Sequence, residues 1–236
     1  MADKKRDRAA GIGIVTFLDV LGWKGIYLRK RNALRELTKL HSSVKQQSRG
    51  AGGYSKVISI SDTIVILTET SRYSIQGAIE LHGRLCAPAI CNSILKGMPL
   101  RGATSYGEFE VGENKFLGRA IDEAAAWYEQ GDWIGVHLAP SAAFVYEEQP
   151  RSWWIPYMPP LPEPKNWETP CVEWIGLWSF SEIKGPPLRE RFLEMGPILP
   201  EIAGKFTNTL LFQKYVEKQI EGGHFIPNMF DESPRG

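Results

Sequence analysis

At 236 residues and 43% hydrophobic content, the chain is long enough for one large domain with a sizeable core. Its 28 basic and 27 acidic residues leave a formal charge of +1, so no global field advertises a nucleic-acid or membrane partner. Three cysteines, Cys86, Cys91 and Cys171, are an odd number at no zinc-like spacing, which argues for a reducing compartment and against a disulfide framework; with no apolar run near about 18 residues and no signal-peptide pattern, the expected location is cytoplasmic.

The start Lys4-Lys5-Arg6-Asp7-Arg8 reads as a solvated tail, and Gly11 to Asp19 as the first strand. That strand is apolar through Val15-Thr16-Phe17-Leu18, then carries a lone carboxylate, Asp19, with Gly22 just beyond it for a sharp turn. An ionised Asp buried unpaired among such neighbours costs several kcal/mol, so it must emerge at the strand's tip or hold a cation. Apolar positions Ile26, Leu34, Leu37, Leu40 and Val44 then predict a one-sided helix from Trp23 to about Ser48. Gly50-Ala51-Gly52-Gly53 breaks it, and a hairpin follows from Tyr54 to Ile60 and Thr63 to Thr68, with Ser61-Asp62 at its tip. Two isolated carboxylates, Asp19 and Asp62, on two core strands suggest a divalent-metal site, although either alone could be a helix cap or turn former.

Ser74 to Lys96 predicts a helix, with Ser74 as N-cap and a kink at Pro88. Leu100 to Val111 reads as a strand, ending at the turn Gly112-Glu113-Asn114, with Lys115 to Leu117 completing a hairpin. A helix is expected from Gly118 to Gln130, its start able to receive an anion, then a strand over Ile134 to Leu138 and a short helix over Pro140 to Glu147. Arg151 to Pro170, rich in proline and tryptophan, reads as an irregular excursion packed on its own domain or facing a partner. A further strand is predicted over Val172 to Phe180 and a helix from about Pro197 to Glu221.

This order predicts a single α+β domain over 1–236, a ferredoxin-like, mostly antiparallel sheet with helices over one face. The core spans about residues 11–140, with the excursion at 151–170 and a C-terminal extension at 171–236. In such a core the first strand and the tip of the first hairpin are neighbours, which brings Asp19 and Asp62 together.

Phe17, Asp19, Val20, Gly22 and Trp23, with Asp62 at the next hairpin tip, resemble the metal-binding motif of class III nucleotidyl cyclase catalytic domains. Phe116 to Ala126 is similar to that family's Gly-x-x-Val-Asn-x-Ala-x-Arg helix start, but Asp122 stands in place of the Asn and Ala126 in place of the transition-state Arg. Arg101, then Arg119, are the replacements to consider. Ile58 occupies the position of the family's purine-reading Lys. The Phe-Leu-Asp-Val-Leu-Gly-Trp, Ser-Asp-Thr and Arg-Gly-Ala-x-x-Tyr-Gly-Glu motifs together are most similar to the pyrimidine cyclases of the Pycsar anti-phage system, which make cyclic UMP or cyclic CMP.

The resemblance implies two Mg²⁺ or Mn²⁺ ions held by Asp19, Asp62 and the Val20 carbonyl, and phosphate bound by backbone N–H groups at Val20, Leu21, Gly22 and Trp23. It implies UTP, with CTP second, as substrate, a homodimer with composite sites, and a separate effector protein that responds to the cyclic product. Alternation of 54, 56, 58, 60 and 62 along the strand nominates Tyr54 as a reader of the base. A catalytically degenerate nucleotide-binding or regulatory module is the alternative. A two-metal polymerase or diguanylate cyclase shares the layout but calls for a Gly-Gly-Asp/Glu-Glu-Phe tip where Ser61-Asp62-Thr63 stands.

Overall fold

The sheet is built outward from one strand whose two faces are both buried, which is why its sequence reads as an almost unbroken apolar run. In a computed structural model that describes residues 9–23, 26, 30–112, 115–162, 167–180 and 186–225, this strand is β1, Ala9–Val20. Ile14, Leu18 and Val20 enter the larger core, while Val15 and Phe17 enter a second cluster on the opposite face. Replacing the fully buried Leu18 by alanine should cost about 3 kcal/mol.

The hairpin β2, Ser55–Ile60, and β3, Thr63–Glu69, lies on one side of β1, and β4, Leu100–Gly112, on the other. The full order is β2-β3-β1-β4-β6-β8-β7, where β6 is Gly135–Leu138, β7 is Trp154–Tyr157 and β8 is Thr169–Val172; β5, Lys115–Leu117, pairs with β4. Among the described residues β4 and β6 run parallel and the other paired strands antiparallel. Helix α1, Ala33–Gly50, and α2, Ile75–Leu95, cover the larger core, where Ser74 caps α2 by accepting the Gly77 N–H at 3.0 Å. Pro88 lies inside α2, and the helix continues past it. Helix α3, Arg119–Trp127, adds a layer on the opposite face, where Ala120, Ile121 and Ala124 meet Val15, Phe17 and Phe109. The remaining helices are α4, Pro140–Ala143, α5, Ile175–Phe180, α6, Leu188–Glu194, and α7, Pro200–Glu221. Among the described residues no helix is long and apolar enough to cross a membrane.

Several sequence expectations are corrected. Of the helix expected from Trp23, α1 carries the part from Ala33, residues 24–25 and 27–29 lying outside the described residues, and Leu34 within α1 is exposed rather than part of the apolar stripe. The excursion contains a strand, β7, which tolerates Pro156 because it is the outer strand of the sheet. The strand expected through Phe180 stops at Val172: the buried Glu173 carboxylate accepts the Gly176 N–H at 2.6 Å and turns the chain into α5. Helix α4 is one turn, shorter than expected, and α6 is an addition. The basic start and the 113–114 turn lie outside the described residues.

Candidate active site

Asp19 is the penultimate residue of β1 and stands in register with Thr63 of β3 on one side and Arg101 of β4 on the other. Asp62 is the residue before Thr63, at a hairpin tip tight enough to hold Ser61 at a φ of +54°. The two carboxylates that the sequence singles out therefore lie at the same end of the sheet, Asp19 near the end of β1 and Asp62 in the turn that leads into its neighbour β3. Asp19 is 9% exposed. Loss of water raises its pKa to about 6; the negative charge of Asp62 adds to the rise, and Arg101 opposes it.

Arg101 is tied down by the loop after α3. Its Nη1 donates to the Glu129 carbonyl at 2.7 Å and reaches the Gly131 carbonyl at 3.4 Å. Its Nε is buried without a hydrogen-bond partner and lies 3.5 Å from Asp19 Oδ2, a charge contact rather than a good hydrogen bond. Tyr128 and Glu129, absent from the sequence-level site, also belong to this end: Tyr128 packs on Phe17 at 5.8 Å, donates to Glu129 Oε1 at 2.9 Å, and the Glu129 charge raises the Asp19 pKa further. Their only sequence signal was a position in the last turn of a helix expected to run to Gln130, which instead ends at Trp127. A cavity of about 430 Å³ opens beside Arg101, walled by Glu129, Gly131, Asp132, Pro160, Leu161 and Lys205.

The turn after β1 uses part of the phosphate cradle expected there. Leu21 N–H donates to the Pro99 carbonyl at 2.8 Å and Trp23 N–H to the Val20 carbonyl at 3.3 Å, while Gly22 takes a left-handed φ of +71°. The Leu21 and Trp23 donors are thus already engaged, because the chain leaves β1 through a tight turn. The Val20 carbonyl keeps a second lone pair.

Arg119 and Tyr54 are not brought to this end. Arg119 begins α3 with its side chain 87% exposed, 3.9 Å from Glu108. Glu108 pairs with Ile12, seven residues along β1 from Asp19, which places it about 23 Å away. Tyr54 precedes Ser55, the residue paired with Thr68 at the opposite end of the hairpin from Asp62, and its ring meets Tyr73 edge-on at 5.3 Å. The alternation that put 54 and 62 on one face is compatible with this, but eight residues of extended chain separate them. Asp122 and Ala126 lie on the exposed side of α3 together with Arg119.

Two carboxylates, a backbone carbonyl and an electrostatic imbalance that a cation would relieve fit a hard divalent ion, which commonly takes one or two carboxylates and completes its shell with water and substrate phosphate. Among the described residues no cluster of three or more His, Cys, Asp or Glu suits a metal.

No family model and no curated protein matches the sequence. Solved structures do match the fold. The catalytic core of a rhodopsin-guanylyl cyclase with converted specificity, in complex with ATPαS, superposes with a TM-score of 0.54 at 14% identity, over 71% of this chain and 98% of that one. The guanylyl cyclase domain of the RhoGC fusion protein from the aquatic fungus Blastocladiella emersonii, as a double mutant, gives 0.54 at 15% identity, over 71% and 97%. The guanylate cyclase domain of RhGC from Catenaria anguillulae, in complex with GTP, gives 0.52 at 13% identity, over 70% and 97%. With β1, the β2–β3 hairpin and β4 arranged as described, the chain has the fold of a class III nucleotidyl cyclase catalytic domain.

Proposed function

We propose that this chain cyclises a pyrimidine nucleoside triphosphate, UTP in preference to CTP, to its 3′,5′-cyclic monophosphate and pyrophosphate. The observation that carries the reading is the placement of Asp19, near the end of β1, and Asp62, in the turn into the adjoining β3, at one end of a cyclase-fold sheet, with Asp19 held at an elevated pKa. In the reaction the ribose 3′ oxygen bonds to the α-phosphorus, the bond from that phosphorus to the bridging oxygen of pyrophosphate breaks, and the hydroxyl proton is released to water. Two Mg²⁺ or Mn²⁺ ions, when bound by Asp19, Asp62 and the Val20 carbonyl, supply a lowered pKa for the 3′-hydroxyl and a counter-charge for the triphosphate.

The protein's own groups do the rest. Asp19 and Asp62 fix where positive charge is gathered, and Arg101 presents its guanidinium beside Asp19, where charge develops on the phosphates. In a two-fold homodimer the opposite end of one protomer can face the pair of the other, which gives exposed Arg119 a place in the partner's site and takes up the role left open at Ala126. Ile58 stands where a purine-reading Lys is expected and packs against the second core with no charge to offer a purine. The pyrimidine preference and a role in anti-phage signalling through a separate effector rest on the sequence motifs alone.

The test is to incubate the purified chain with Mn²⁺ and each of UTP, CTP, GTP and ATP, and to resolve products by chromatography. Cyclic UMP above cyclic CMP, with little purine product, is expected; dominant cyclic AMP or cyclic GMP would overturn the pyrimidine reading. One observation favours the second reading, a nucleotide-binding module without turnover: the Arg101 guanidinium is already engaged by two carbonyls while position 126 is alanine. That reading predicts saturable nucleotide binding with no cyclic product from any of the four.

A further inference from the structure

Helix α7 grips the loop that holds Arg101, and it does so with four positions on one side of two successive turns. Lys205 Nζ donates to Asp132 Oδ1 at 2.9 Å, Asn208 Nδ2 donates to the Asp132 carbonyl at 2.8 Å, and the Ile134 N–H donates to Thr209 Oγ1 at 2.9 Å. Gly204 completes the contact, because a Cβ there would come within 2.7 Å of Asp132 Oδ2. Spacings of 204, 205, 208 and 209 are those of one helical face. The gripped segment is continuous with the carbonyls of Glu129 and Gly131 that receive Arg101 Nη1, and Arg101 Nε is the cationic neighbour of Asp19. A chain of direct contacts therefore runs from the C-terminal helix to the candidate metal carboxylate.

These contacts are not what α7 needs for its own attachment. Phe206, Phe212 and Val216 are buried in the larger core and anchor the helix by apolar burial. Lys205 and Asn208 lie at the edge of that interface, half-buried; at the far end of the loop Trp133 and Ile134 are buried in the same core, with Trp133 against Phe212 of α7 at 4.7 Å, while Asp132 is half-buried and is held by the polar contacts. Side chains that fix a loop without carrying the fold are those expected to set geometry rather than stability.

We propose that Lys205, Asn208 and Thr209 of α7 are positioning residues for the active site, fixing the 129–134 loop so that its carbonyls aim Arg101 at Asp19; this rests on the cyclase reading of that site. The C-terminal helix would then be a point at which activity is set from outside the catalytic end.

The experiment compares the full chain with Lys205→Met, Lys205→Arg, Asn208→Leu and Gly204→Ala, reading kcat and KM for UTP with Mn²⁺, melting temperature, Mn²⁺ affinity and hydrogen exchange over 128–134. Lys205→Met and Asn208→Leu are expected to lower kcat about tenfold with KM within about twofold, and to accelerate exchange in the loop, as removal of supporting partners around a metal site commonly does. Lys205→Arg should restore most of the loss. Gly204→Ala, which displaces Asp132, should fall between them. Unchanged kcat in a folded Lys205→Met variant whose loop exchange has risen would overturn the proposal. If no triphosphate is cyclised even by the unaltered chain, the cyclase reading fails separately, and the proposal is decided by Mn²⁺ affinity: a weakening in Lys205→Met rescued by Lys205→Arg supports it, and equal affinity in all variants overturns it.

Discussion

Strand β1 carries two buried polar stations three residues apart, on opposite faces of the sheet, and they are finished differently. Thr16 contacts His82 Nδ1 and Thr104 Oγ1, both at 2.6 Å; His82 Nε2 contacts Thr68 Oγ1 at 2.9 Å, and Thr68 contacts Ser55 Oγ at 2.6 Å. Both ring nitrogens of His82 are thus partnered, and burial pushes its pKa down to about 3, so the ring is neutral. Asp19 instead has a neighbouring carboxylate, a guanidinium at 3.5 Å, and a pKa raised to about 6. A closed network of neutral groups stabilises the fold, whereas an incompletely compensated charge at a strand end costs stability and gains a purpose when a cation arrives.

The strongest way to break this contrast is to remove the charge. Asp19→Ala or Asp62→Ala should lower UTP cyclisation about a thousandfold while melting temperature stays within a few degrees, as measured by chromatographic assay beside a thermal scan. Retained turnover in both would remove the pair from the chemistry. The next effect is the mirror image: His82→Leu should destabilise the protein by about 1–3 kcal/mol in urea unfolding, because Thr16 and Thr68 lose a buried partner, yet leave turnover per folded molecule within about twofold.

Acidity separates the two stations by sign. His82 has a folded pKa below its ordinary 6.5, so the unfolded chain takes up its proton first and this contribution to stability is lost as pH falls from about 6.5 towards 3. Asp19 has a folded pKa above its ordinary 3.8, so its contribution is fully present below about pH 4 and is lost as pH rises through about 6. Metal-free Asp19→Asn should therefore have a higher urea midpoint than the unaltered chain at pH 7.5, with the gap closing towards pH 4, while His82→Leu should flatten the acid side of the profile. The smallest effect is expected at Tyr54, which stands away from the carboxylate pair of its own protomer: Tyr54→Ala should leave the ratio of UTP to ATP turnover within about twofold, and a collapse of that ratio would return base reading to it.

The contrast also explains what the sequence made legible. Strands buried on both faces, such as β1 and β3, announce themselves as apolar runs, and a carboxylate interrupting such a run is conspicuous for the same reason. Thr16 and Thr104 gave no such signal, since a threonine in a strand is ordinary and only the fold brings His82 between them. The turn at Glu173 escaped notice because an apolar segment reads alike as strand or short helix, and one buried carboxylate accepting the Gly176 N–H decides between them. Glu129, Asp132 and Lys205 were equally silent, because contacts between a loop and a distant helix carry no local period. Arg119 was legible as a charge but not as a location, which depended on the direction in which α3 runs back across the sheet.

The most direct measurement is Mn²⁺ binding followed by electron paramagnetic resonance, in the presence of 3′-deoxy-UTP, which lacks the attacking hydroxyl. The unaltered chain should bind two Mn²⁺ ions per active site, and Asp19→Asn and Asp62→Asn should each weaken that binding by about a hundredfold at pH 7.5. Equal Mn²⁺ binding by all three proteins would contradict the assignment of Asp19 and Asp62 as the metal-holding pair.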